Sequence, residues 1–165
     1  MKTLVLARHA KSDWPVGVED IKRPLKDRGK KDATFLGSLL ESKSFMPDGI
    51  ISSPARRARD TAQIIASNLG YEREIQIEKR VYFQGSEALK EVIRAFPNEW
   101  RTAMVFGHNP TMEDVVGSLL GMRADFIMPT SAMACIEIAS DSWKHIDTDY
   151  LSLRWFLVPR LRRKR

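Results

Sequence analysis

Short apolar runs alternate along this sequence with stretches of helical spacing, and that alternation is what most constrains the fold. Thr3-Leu4-Val5-Leu6-Ala7 offers no face to water, as expected of a strand covered on both sides. A polar stretch with Pro15, Gly17 and Pro24 reads as a long loop. Over 27–43 the residues Ala33, Leu36, Leu39 and Leu40 repeat at the spacing of one buried helix face. A strand over 49–53 follows, then a helix over 55–69 with Pro54 as its first helical residue and Gly70 at its end. Alternation over 74–78 predicts a third strand, and Ser86 is placed to cap a helix running to about Phe96. Another apolar strand spans 102–106, and a helix opening at Pro110 carries Val115, Val116, Leu119 and Leu120. Strands near 133–139 and 150–158 complete the chain. Alternating strands and helices imply an α/β fold: a three-layer α/β/α sandwich around a mostly parallel central sheet.

At 165 residues the chain suits one domain, expected over 1–158, with a basic tail over 159–165. The tail holds Arg160, Arg162, Arg163, Lys164 and Arg165, so most of the +6 net charge sits there. Such a tail can serve nucleic acid, an acidic partner or a membrane surface, but a solvated terminus is the expectation, with no specific nucleic acid and no membrane. A single cysteine, Cys135, excludes an internal disulfide and any multi-cysteine metal site. No secretory pattern or membrane-length run is present, so a cytoplasmic location is expected.

In an open sheet of this kind, ligands bind beyond the carboxyl ends of the strands. Three strand ends carry concentrated polar chemistry: Arg8-His9-Ala10-Lys11-Ser12, Ser52-Ser53-Pro54-Ala55-Arg56-Arg57, and Gly107-His108-Asn109-Pro110-Thr111. Two of the chain's three histidines stand there. If these strands are neighbours, the segments converge on one pocket. Arginine forks match phosphoryl oxygens and keep their charge at any working pH. A neutral imidazole can attack phosphorus and form a covalent phosphoramidate, while a cationic second histidine would stabilise the equatorial oxygens. No zinc-protease helix pair, calcium loop or cysteine–histidine ligand spacing occurs, so no metal is expected.

At these residues the sequence resembles the histidine phosphatase superfamily, whose members include the phosphoglycerate mutases. The family's Arg-His-Gly motif stands here as Arg8-His9-Ala10, and its Ser-Pro-x-x-Arg-Ala pattern as Ser53-Pro54-Ala55-Arg56-Arg57-Ala58. That register selects Arg57 for phosphate and turns Arg56 elsewhere. The second histidine of the family matches His108. Within the superfamily the chain looks most like the short branch named for the SixA phosphohistidine phosphatase. The matching segments are Arg8 to Ser12, Arg23-Pro24-Leu25 with Arg28-Gly29, Gly107-His108-Asn109-Pro110 and Pro129-Thr130-Ser131-Ala132.

The resemblance implies a phosphoglycerate mutase-like fold and a phosphatase with a phosphohistidine intermediate on His9. It implies no cofactor. Arg8, Arg57 and His108 would act with His9, and Ser12, Asn109, Thr130 and Ser131 would join them in binding phosphate or substrate. The partner is expected to be a phosphorylated protein carrying phosphohistidine. A small phosphorylated metabolite is the alternative substrate, and a non-catalytic phospho-ligand module a further one. Many relatives supply a carboxyl general acid, but here 80–85 holds none and an Asn follows His108. Asp13, Glu78 and Glu87 are the candidates, and none is placed by a motif. A nitrogen leaving group needs less protonation than an alkoxide, so phosphoramidates are the expected preference over plain phosphomonoesters.

Overall fold

The computed structural model describes residues 1–147 and 150–159. One six-stranded sheet organises it: β1 (Lys2–Arg8), β2 (Gly49–Ser52), β3 (Gln76–Ile77), β4 (Thr102–Gly107), β5 (Met133–Ile138) and β6 (Leu151–Leu157). The spatial order is β3-β2-β4-β1-β5-β6. Strands β1 to β4 are mutually parallel, β5 runs against β1, and β6 against β5. The expected sandwich with a mostly parallel sheet is therefore the observed one, with a single reversed strand. Central strands β1 and β4 are almost wholly buried, which is why their sequences lack polar alternation.

Helices α1 (Asp27–Ser42) and α2 (Arg56–Leu69) cover one face. Their Leu36, Leu40, Ala62 and Ile65 pack with Val5, Met104 and Phe106 of the sheet. Helices α3 (Ser86–Arg94) and α4 (Thr111–Leu119) cover the other, where Leu89, Ile93, Val115 and Val116 meet Leu4, Leu6 and Val105. Burial of this apolar surface, at about 25 cal/mol per Å², is the main favourable contribution to the fold. No helix among the described residues is long and apolar enough to cross a membrane.

Several boundaries differ from the sequence expectation. Helix α2 begins at Arg56, and Pro54 lies outside it. The Ser53 hydroxyl accepts the Ala55 amide at 3.2 Å, so a side-chain turn occupies the place where helix was expected. Pro110 is likewise a cap, not the first residue of α4. Gly85, at φ 89°, takes the cap position ahead of α3 and moves Ser86 inside the helix. Strand β3 is only two residues long and both are exposed, because it is an edge with no outer neighbour. The basic residues Arg160, Arg162, Arg163, Lys164 and Arg165 lie outside the described residues.

Candidate active site

The order of strands puts the ends of β2, β4 and β1 side by side, in the register Ser52–Phe106 and Arg8–Gly107. The residues that follow those ends are therefore forced together. His9 and His108 lie with ring centroids 5.3 Å apart at a 52° tilt. Arg57, in the first turn of α2, reaches the same place and is only 2% exposed. Arg56, one residue earlier, is exposed and pairs with Asp60 at 3.4 Å. The register read from the Ser-Pro pair is the one the helix adopts.

These groups line a cleft of about 240 Å³ with Arg8, Lys11, Ser12, Asp20, Arg23, Phe83, Asn109 and Thr130. Two larger clefts exist, about 690 Å³ between α2 and β3 and about 700 Å³ beside Phe45 and Trp155. Neither contains His9 or His108, so chemistry and not volume selects the site.

Hydrogen bonding defines the state of His9. Its Nδ1 is 2.8 Å from the Ala10 carbonyl oxygen, which can only accept, so Nδ1 carries the proton. Nε2 is then left with its lone pair. Burial pushes the His9 pKa down to about 3, with the Arg57, Arg8 and Arg23 charges adding to it and the Ala10 bond opposing. The ring is neutral at ordinary pH.

Burial also lowers His108 to about 3, helped by His9 and Arg57 and opposed by Asp20. The cationic second histidine considered from sequence is thus a neutral one in this site. Its Nε2 lies 2.7 Å from the Ser53 hydroxyl, while Nδ1 has no hydrogen-bond partner among the described residues. Since Ser53 Oγ already accepts from Ala55, its own proton can go to His108 Nε2, which leaves Nδ1–H as a donor.

Ala10, standing where the family has glycine, is fully buried in the core. Its amide donates to Thr61 Oγ1 at 3.0 Å, and that hydroxyl donates to the Arg57 carbonyl at 2.7 Å. The backbone beside His9 is tied to α2 through one threonine.

The pocket carboxylate comes from a segment that no motif marked. None of Asp13, Glu78 or Glu87 lines the cleft; Asp20 does. Glu78 is held by Arg80, and Glu87 is exposed beside Lys90. Asp20 sits in a short helical turn, Asp20–Lys22, within the loop after β1. That loop folds back through an isolated Ser12–Leu25 bridge and a 2.9 Å bond from the Lys26 amide to the Lys11 carbonyl.

Asp20 Oδ2 accepts from Tyr82 and, at 3.2 Å, from Arg57, while Oδ1 accepts from Arg23 at 3.2 Å. Its carbonyl takes a second Arg57 bond at 2.8 Å. Burial alone would raise the carboxyl's pKa. The Tyr82 bond, the Arg57 charge and the bonds from Arg23 and Arg57 outweigh it, and Asp20 lies below the usual carboxylate range. Nothing local in the sequence pointed to Asp20, apart from the i, i+3 spacing to Arg23.

The remaining expected residues divide. Ser12 lines the cleft and accepts from Arg23 Nη2 at 2.9 Å, which leaves its own proton to offer. Thr130 lines it as well. Asn109 spends its amide N–H groups on Glu113 Oε1 and the Met128 carbonyl, both at 2.8 Å. Both partners are acceptors, so the amide's orientation follows, and the side chain anchors the 128–131 segment. Ser131 does not line the cleft; its amide donates to the His9 carbonyl at 3.0 Å. Among the described residues, no group of three or more His, Cys, Asp or Glu side chains is placed to hold a metal ion.

Two neutral histidines and two arginines meet beyond the strand ends of an α/β sandwich, an arrangement chemically suited to phosphoryl transfer. Comparison with known proteins agrees. The model for the histidine phosphatase superfamily (branch 1) matches residues 4–82, which include Arg8, His9 and Arg57 but stop short of His108. Relatives cover the rest. An uncharacterised protein of Mycobacterium tuberculosis is 30% identical over 93% of this chain and 99% of its own length. A structure from Agrobacterium tumefaciens, described as a candidate SixA phosphohistidine phosphatase, has a TM-score of 0.79 and 30% identity over 96% of this chain and 99% of its own. The protein histidine phosphatase SixA in complex with tungstate shares the fold at a TM-score of 0.84 and 17% identity, covering 96% of this chain and 98% of its own. The chain belongs to the histidine phosphatase superfamily, and it is a phosphatase.

Proposed function

We propose that the enzyme removes phosphate from phosphohistidine on a protein partner, through a covalent phosphohistidine on His9. The observation that carries this reading is the state of Asp20. Among the described residues it is the sole carboxylate lining the cleft, and it is committed to Arg57, Arg23 and Tyr82 as an anion. A carboxylate so held is a poor proton donor, and an alkoxide leaving group would need one. Transfer between two imidazoles does not.

In the first step the His9 Nε2 lone pair attacks phosphorus, and the bond from phosphorus to the substrate's nitrogen breaks. Its electron pair stays on that nitrogen, and a ring already protonated on its other nitrogen leaves neutral. Arg8 and Arg57 offer charge and paired donors to the phosphoryl oxygens, and His108 Nδ1–H adds a neutral donor. In the second step water attacks phosphorus, the bond to Nε2 breaks and returns its pair to His9, and orthophosphate takes up the oxygen and protons. Among the described residues the only cysteine, Cys135, is buried and unpaired, which suits work in a reducing cytoplasm.

The test is an activity panel of a phosphohistidine peptide, phosphoramidate and ethyl phosphate, run on wild type and His9→Ala with acid-labile phosphoenzyme trapping. Wild type should turn over the two P–N substrates at least about a hundredfold better than the ester, since positioned acid catalysis is worth about that much or more where it is needed. Its phosphoenzyme should vanish in His9→Ala. Comparable efficiency on the ester, or turnover surviving in His9→Ala, would sink the reading and favour a phosphatase for small metabolite esters or another nucleophile.

A further inference from the structure

The cleft is lined almost throughout by polar groups, yet one of its walls is not polar. Of the eleven described residues that line it, ten carry a charged, imidazole, amide or hydroxyl group; the exception is Phe83. Its ring centroid lies 5.0 Å from that of His108 and 4.6 Å from that of Tyr82, at interplanar angles of 37° and 44°. In spite of these contacts Phe83 is 53% exposed, whereas Phe106 in β4 is fully buried. The side chain therefore stands at the mouth, between the phosphate-binding groups and solvent.

The backbone there is strained as well. Phe83 has φ 57°, the left-handed region that a bulky residue rarely adopts and that glycine would occupy freely. Burial does not repay that strain, since half the ring is in water. Such outliers persist where the position of the side chain matters. The neighbouring wall is braced, because the Tyr82 hydroxyl donates to Asp20, which in turn holds Arg57.

We propose that Phe83 is a specificity-determining residue, the face against which a planar leaving group packs while its phosphate is held by Arg8, Arg57 and His108. The phosphoryl oxygens find polar partners deeper in the cleft. Phe83 is the described lining residue without a polar side-chain group, so the ring that carries them can rest against it. An imidazole or aryl group gains a stacked contact there, and a small aliphatic or ammonia leaving group does not. For phosphohistidine this assignment rests on the proposed function. The preference for planar groups stands apart from it.

The experiment compares wild type with Phe83→Ala, Phe83→Tyr and Phe83→Gly on two substrate pairs. One pair is a phosphohistidine peptide and phosphoramidate, the other phenyl phosphate and ethyl phosphate. Within each pair the broken bond is of one kind, and only one leaving group is planar. Phe83→Ala should lower kcat/KM about five- to tenfold on the planar member and less than about twofold on the other, the scale of one aromatic contact. Phe83→Tyr should stay near wild type. Phe83→Gly should show the same selective loss with a higher melting temperature than Phe83→Ala, because glycine relieves the backbone. Equal losses on both members of a pair, or none on the planar ones, would overturn the assignment. A wild type that prefers esters overturns the proposed function alone, since the ester pair still reads the role of Phe83.

Discussion

Arg57 and Arg56 are adjacent, chemically identical and differently employed. Helical geometry separates them by 100° around α2, so one enters the cleft and the other meets Asp60 in water. Arg57→Ala should cost at least about a hundredfold in kcat/KM, the scale of a lost transition-state donor, and Arg56→Ala less than about twofold. Equal losses would show that the register is misassigned. Asp20 gives a second residue-scale expectation. Asp20→Asn removes the anion that faces Arg57, so inhibition by orthophosphate should tighten about threefold or more, by the scale of an exposed-to-partly-buried ion pair. Turnover of phosphoramidate should persist. A collapse of ester turnover alone would instead identify Asp20 as the proton donor. Because burial holds His9 neutral down to about 3, its protonation should not limit kcat/KM as pH falls from about 6.5. An acid limb that disappears in a variant altering only the His9 environment would contradict that.

At the scale of elements, the site depends on how closely α1 approaches the loop after β1. A Cβ on Gly29 would lie 2.2 Å from the Lys11 carbonyl oxygen and 2.9 Å from its amide nitrogen. These are backbone atoms in the segment that follows His9, and they cannot swing aside. Gly29→Ala should therefore destabilise by about 1–3 kcal/mol, the usual cost of overpacking, and should lower activity more than an equally destabilising change far from the cleft. Urea melts paired with phosphoramidate turnover check both. In the sequence Arg28-Gly29 stands out only through a resemblance; the physical reason for the glycine is this contact. The loop it supports was legible as a loop, from its prolines and glycine. That it folds back through the Ser12–Leu25 bridge and delivers Asp20 and Arg23 to the pocket was not, because those contacts join residues with no periodic relation.

For the whole molecule, the site is a burden on stability at low pH. His9 and His108 have folded-state pKa values lowered to about 3, below the ordinary 6.5 of an unfolded chain. Between those values the unfolded state binds protons that the folded state refuses. Stability is fully present above about 6.5 and is lost as pH falls toward about 3. Asp20, also lowered, acts in the same direction below the ordinary carboxylate value. The melting temperature should drop between about pH 7 and about pH 5, and a His9→Gln, His108→Gln double variant should flatten that slope. A slope unchanged by the double variant would place the titrating groups elsewhere.

The sequence by itself determined the alternation of strands and helices, and with it a sandwich whose strand ends carry His9, Arg57 and His108. Period and burial are local properties, and a strand hidden on both faces must be written in apolar residues. Helix starts were less legible: Ser53 and Gly85 decided them through a hydroxyl bond and a left-handed backbone. Only the tertiary structure decided which strand ends are neighbours and which histidine nitrogen is free. It alone showed that His108 is neutral and that the pocket carboxylate is Asp20. Each of these depends on what surrounds a group in space: a carbonyl beside Nδ1, a dry wall around two rings, three donors around one carboxylate. Side chains distant in sequence supply those surroundings, and no local spacing records them.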